Sequence, residues 1–146
     1  MRARRLSGHL TRSLSISKAR NSRRFRQTIE IFRQNRARVG LALKPETPFH
    51  LLMPWLDQVD TVLLLNIPPG AHSVSPVPRL FYVFQELKTL QSSRFPNFRI
   101  EIDGGVNTET VGAFARLGAE ILVCGSIVFN GTSIQESVSV LRGILK

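Results

Sequence analysis

Short apolar runs that alternate with segments of helical periodicity, never joined by a tight hairpin turn, constrain this chain more than any other feature. Four such runs occur: "VGLAL" (39–43), stopped by Pro45; "TVLLLNI" (61–67), ended by Pro68, Pro69 and Gly70; "FRIEID" (98–103); and "EILVCG" (120–125). Each is short and rich in β-branched or aliphatic residues, which predicts buried strands. A helical segment comes after each one. "PFHLLMPWLDQV" predicts a helix with Thr47 as N-cap and Pro48 at its first position. "PRLFYVFQELKTLQ" puts Leu80, Phe84 and Leu87 on one face; "NTETVGAFARLG" has Asn107 as cap and Gly118 as terminator; "SIQESVSVLRGIL" closes the chain. Upstream, Phe25, Ile29 and Phe32 in "FRQTIEIFRQNRA" stand at helical spacing.

Strand-then-helix repeated four times implies an α/β fold with a parallel sheet and helical crossovers. The four units over residues 39–146 average about 27 residues, close to the roughly 31 per unit of an eight-fold (β/α) barrel. The body is therefore the size of half a TIM-type barrel. Four parallel strands cut from a barrel would leave two exposed edges, which favours self-association or pairing with a separate half-barrel.

Charge divides the chain in the same place. The formal net charge is +10, yet residues 1–38 hold twelve Lys/Arg against the single acid Glu30, and residues 39–146 are nearly balanced. Residues 1–38 read as a basic Arg/Ser-rich extension, helical toward its end. An acid-poor head of this kind fits a mitochondrial or plastid transit peptide, a nucleic-acid-binding arm or a solvated tail. Phe25 is the only aromatic residue in 1–27, which weighs against nucleic acid. The lone Cys124 excludes an internal disulfide and fits a reducing compartment such as the cytoplasm. No apolar run reaches the ~18 residues expected of a membrane span, and "MRARRLSGHL" lacks the apolar core of a secretory signal.

The chemistry concentrates in "EIDGGVNTET" (101–110). Asp103 ends a strand, where barrel enzymes place reactive groups. Gly104 and Gly105, and Gly125 and Ser126 after the last strand, suit close approach of backbone N–H groups to a phosphate. The competing readings are local: Asp103 caps the next turn, and the glycines merely make it tight. Cys124 reads as a buried, unreactive thiol, His50 as a surface or packing residue, and Met53 and Trp55 as cover for the sheet.

Taken together, "VGLALKPETP", "TVLLLNIPPG", "IEIDGGVNTETV" and "GAEILVCGSIVF" resemble the fifth to eighth strands of the ribulose-phosphate 3-epimerase family, in order and at suitable spacing. The resemblance implies a (β/α)₈ barrel that interconverts D-ribulose 5-phosphate and D-xylulose 5-phosphate in carbohydrate metabolism. It implies that Asp103 is both a ligand of a divalent metal (Zn²⁺ or Fe²⁺) and one of two acid/base carboxylates working on opposite faces of the substrate. It also implies phosphate binding by Gly70, Gly104, Gly105, Gly125 and Ser126.

The chain departs from the family pattern in two places. The loop after "TVLLLNI" keeps Gly70 but continues "AHSVSPVP", so His72 and Ser73 replace a glycine-rich cradle, and Leu65 and Asn66 stand where the family has a Met-Thr pair. The family's remaining metal ligands, a His-x-Asp pair and a further His on earlier strands, have no counterpart in residues 1–38, where His9 in "GHLTRSL" is the only histidine. The expectation is little or no turnover by the chain alone. A non-catalytic sugar-phosphate-binding protein and a different phosphate-binding barrel enzyme are the rival readings.

Overall fold

A computed structural model describes residues 11–16, 22–66, 78–129 and 133–145. Its sheet has five strands, β1 (Thr11–Ser15), β2 (Arg38–Leu43), β3 (Thr61–Leu65), β4 (Arg99–Asp103) and β5 (Ile121–Val123), all parallel and in sequential order. The helices are α1 (Ser22–Gln34), α2 (Pro78–Ser93), α3 (Val111–Leu117), α4 (Gly125–Phe129) and α5 (Ile134–Ile144). The expected α/β class and all four expected strands are present. The sheet is nevertheless one strand larger than expected, because "TRSLS" inside the basic head forms β1 and pairs with β2 from Thr11↔Arg38 to Ser15↔Ala42.

Strand order and the placement of the core together decide the architecture. On one face, Val39, Leu41, Leu43, Val62, Leu64, Ile100 and Ile102 are buried against Phe25, Ile29, Leu80, Phe84, Leu87, Val111 and Phe114 of the helices. The register aligns Leu41 with Val62 and Ile100, so these residues share a face as strand alternation requires. The opposite face carries Ala42, Leu63, Leu65, Ile121 and Val123, none of which joins that core. A sequential parallel order with its helical core on one face is the pattern of a barrel wall; a doubly wound sheet reverses direction and covers both faces.

The segment 48–59 forms a 3-10 helix over Phe49–Gln58 rather than an α-helix. Pro54 inside it lacks the N–H that an i−4 bond would need, which favours the tighter winding. Thr47 does not cap it. Pro48 occupies the cap position without a side-chain bond, while Thr47 is buried and its N–H donates to the Lys44 carbonyl at 3.0 Å. Trp55 covers the sheet as expected, edge-on to Phe25 at 4.8 Å with Arg26 over its ring, and His50 is exposed. Gly118 ends α3 as expected, at φ 96°, but Asn107 does not cap the helix: Thr110 holds the cap position without a side-chain bond, and Asn107 Oδ1 instead accepts from the Glu109 and Thr110 N–H groups in the turn before it.

Two acids fasten the N-terminal end of the sheet. Asp60, just before β3, accepts the Val39 N–H through Oδ2 at 2.7 Å and meets Arg33 through Oδ1 at 3.4 Å. Glu120, just before β5, accepts the Ile100 N–H through Oε2 at 2.8 Å and meets Lys88 through Oε1 at 3.3 Å. Each acid thus ties the start of the strand beside its own. Among the described residues, no helix is long and apolar enough to cross a membrane.

Candidate active site

The C-terminal ends of β3 and β4 define the site. Alternation along "RIEID" buries Ile100 and Ile102 against the helices and leaves Arg99, Glu101 and Asp103 half-buried on the other face. Asp103 is the last residue of β4 and the register partner of Leu65. Its carboxylate takes no hydrogen bond from a described residue, which counts against a capping role; the turn beyond it is held by other groups.

Those groups explain why the turn needs its sequence. Gly104 and Gly105 have φ of 101° and 66°, backbone that favours glycine. Asn66, fully buried, donates its own N–H to the Asp103 carbonyl at 2.8 Å and its side-chain Nδ2 to the Gly104 carbonyl at 3.1 Å. Thr110 Oγ1 donates to the Gly105 carbonyl at 2.6 Å. Both glycine carbonyls are therefore occupied from within the protein. Asn66 is the site residue whose role the sequence did not show: there it stands only as a departure from the family's Met-Thr pair, whereas the structure makes it the residue that positions the Asp103–Gly104 turn. Removing its amide in Asn66→Ala is expected to destabilise the fold by about 1–3 kcal/mol, since a part-buried carbonyl loses its donor; urea unfolding followed by circular dichroism measures this.

Glu101 lies two residues before Asp103 on the same face, with Cα atoms about 7 Å apart by strand geometry. Partial burial raises its carboxyl above the ordinary range, the neighbouring Asp103 raises it further, and Arg99 opposes both. A carboxyl raised in the folded state contributes stability below its unfolded pKa and loses that contribution as pH rises through the folded value. Glu101→Gln is therefore expected to be more stable than the parent at neutral pH, with a flatter decline in stability as pH rises above about 4. Thermal melts of both proteins between pH 4 and 8 check the sign.

The other expected site residues are placed differently. Gly125 and Ser126 are exposed and open the short helix α4 instead of forming an extended loop, and a Cβ at Gly125 would meet nothing within 4 Å. They come after β5, whose Val123 is the register partner of Asp103, so they share its end of the sheet. Gly70, His72, Ser73 and His9 lie outside the described residues. Cys124 is half-buried with its thiol pushed up by burial, as a non-nucleophilic cysteine should be. A divalent metal does not fit what is described of this chain: Asp103 offers one carboxylate, and no group of three or more His, Cys, Asp or Glu among the described residues could hold an ion.

Comparison with known proteins agrees with this geometry. Residues 9–129 match the family model described as "Ribulose-phosphate 3 epimerase family". A ribulose-phosphate 3-epimerase from Schizosaccharomyces pombe is 36% identical over 104 residues, covering 71% of this chain and 44% of the relative. One from Buchnera aphidicola is 31% identical over 120 residues, covering 82% and 53%. The chain thus spans about half the length of the curated relatives it matches. Among solved structures, 3-hexulose-6-phosphate synthase from Salmonella typhimurium superposes with a TM-score of 0.68 over 94% of this chain and 62% of its own, at 14% identity, a likeness of fold alone. The match also begins before β1, so the strand hidden in the basic head belongs to the same pattern as the other four. With "IEIDGG" ending β4 and parallel (β/α) units on either side of it, the chain belongs to the ribulose-phosphate 3-epimerase family.

Proposed function

We propose that this chain supplies the Asp103 side of a site that epimerises a pentose phosphate at the carbon next to its ketone, and that it turns over only when a further polypeptide covers the inner face of the sheet. The observation that carries this reading is Asp103 itself, a carboxylate at the C-terminal end of β4, free of hydrogen bonds to described residues and succeeded by a turn locked through Asn66 and Thr110. Inverting a carbon requires a proton to leave one face and another to arrive on the other, so two acid/base groups are needed. Asp103 serves one face. Glu101, on the same strand and the same side, cannot reach the other.

The need for a covering polypeptide rests on the sheet. Half-buried Leu63, Leu65, Ile121 and Val123 line the inner face below Asp103, and β1 and β5 are its terminal strands. Among the described residues no further strand pairs with β1 or β5 and no helix of the core packs on the inner face, and parallel strands in that state are completed by more strands. A second copy of the chain would bring a second Asp103 carboxylate, whereas a polypeptide bearing the remaining (β/α) units would bring the second carboxylate together with the metal ligands that this reaction uses in the family. Substrate phosphate would lie against the N–H groups of Gly104, Gly105, Gly125 and Ser126, which share one end of the sheet.

The test is conversion of ribulose 5-phosphate to xylulose 5-phosphate by the 146-residue chain alone and after mixing with the portion of the Schizosaccharomyces pombe relative outside the matched region. Activity that appears only on mixing supports the proposal, and activity of the chain that scales with its dimerisation identifies the second copy as the cover. Full activity of the monomer overturns it.

A further inference from the structure

The structure holds one further feature that the epimerase reading does not use. A small cleft of about 20 Å³, room for one water-sized group, opens beyond the C-terminal ends of β2 and β3 and is lined by Leu43, Lys44, Thr47, Leu65, Arg79 and Val83, among others. Its position is specific. Leu65 in its wall is the register partner of Asp103, so the cleft lies one strand away from the carboxylate, at the same end of the sheet.

Its charge is one-sided. Lys44 and Arg79 both line it and no acidic residue does. Neither cation pairs with a carboxylate among the described residues, whose ion pairs join Arg33 to Asp60 and Lys88 to Glu120 at the other end of the sheet. Arg79 makes only a long approach to the protein among the described residues, 3.5 Å from Nη2 to the Thr47 carbonyl. The turn that presents Lys44 is fixed, because the buried Thr47 donates its N–H to the Lys44 carbonyl at 3.0 Å. Two cations facing one partly apolar cleft, fixed at their base and without a counter-charge, form an anion-recognition arrangement.

We propose that the Lys44–Arg79 cleft binds a small oxyanion, a phosphate ester or carboxylate group, at a site separate from the glycine turns after β4 and β5. The guanidinium offers paired N–H donors to two oxygens and the ammonium a point charge to a third. The apolar wall of Leu43, Leu65 and Val83 lowers the local dielectric and strengthens both contacts. A ligand seated here projects toward Asp103 along the strand ends. This site does not depend on epimerase activity.

The test is a titration of the ¹⁵N-labelled full chain with inorganic phosphate, and separately with acetate, monitored through backbone amide shifts. Phosphate is expected to move the Lys44, Thr47, Leu65 and Arg79 amides; Lys44→Gln combined with Arg79→Gln is expected to weaken this binding by at least about tenfold. Each single Gln variant should retain part of the affinity, and circular dichroism of all three variants confirms that they are folded. Acetate moving the same amides as strongly identifies a carboxylate as an equal ligand; phosphate alone doing so assigns the site to phosphate esters. Shifts confined to residues 104–105 and 125–126, unchanged in the double variant, would overturn this proposal while leaving the family reading intact. Shifts confined to the Lys44–Arg79 cleft would support it and count against the glycine turns.

Discussion

Asp103→Asn is expected to reduce ribulose 5-phosphate epimerisation by the completed assembly by a factor of about 10² to 10⁴, the usual worth of a positioned acid/base group. The amide keeps the size and polarity of the carboxylate but neither accepts nor returns a proton at neutral pH. Stability should scarcely change, because the Asp103 side chain takes no hydrogen bond from a described residue. Relief of its repulsion with Glu101 would act in the stabilising direction. A coupled assay for xylulose 5-phosphate, with thermal melts of parent and variant, separates the two effects. Loss of activity together with a large fall in melting temperature would make Asp103 structural and remove the basis for its proposed role.

Phe84→Ala should have the largest effect on folding. Phe84 is 1% exposed and lies on α2 between Leu80, Val83 and Leu87, all buried against the sheet. Truncating a buried phenylalanine costs about 3–5 kcal/mol through lost transfer energy and the cavity left behind. Domains of this size are stable by only about 5–15 kcal/mol, so the variant should be largely or wholly unfolded at 37 °C. Chemical denaturation at 15 °C, where residual structure survives, gives the value; a loss under about 1 kcal/mol would mean that α2 does not pack as described.

The parts of the fold that could be read from the residues are those whose own hydrophobicity marks them. "VGLAL" is buried throughout and "TVLLL" at three of its five positions, with Leu63 and Leu65 half-buried, so continuous apolar runs gave them away. "RIEID" alternates, and the alternation carried both its strand character and the side on which Asp103 lies. β1 could not be seen in this way. "TRSLS" has one large apolar side chain, and its strand conformation comes from backbone pairing with β2 and from the burial of the adjoining Ile16 at 1% exposure. A strand held by its neighbour leaves little trace in its own composition. The strong positive charge of residues 1–38 added to this by suggesting a tail, although the charge says nothing about backbone pairing. Within the site, Asp103 and its two glycines were legible because strand-end acids and positive-φ glycines have sequence signatures. Asn66 was not, because its partner Gly104 is 38 residues away and only the register of β3 on β4 brings them together.

The two acids at the other end of the sheet have a consequence for motion. Asp60 and Glu120 clip amides near the start of β2 and β4 to side chains, over and above the ladder, while the ends of β3 and β4 that carry Asn66 and Asp103 give way to turns. Those turns are tied as well, by Asn66 Nδ2 to the Gly104 carbonyl and by Thr110 Oγ1 to the Gly105 carbonyl. The Val39 and Ile100 amides should be among the slowest to exchange with deuterium. With side chains holding both ends, a local opening in mid-strand would leave the register of the whole sheet unchanged.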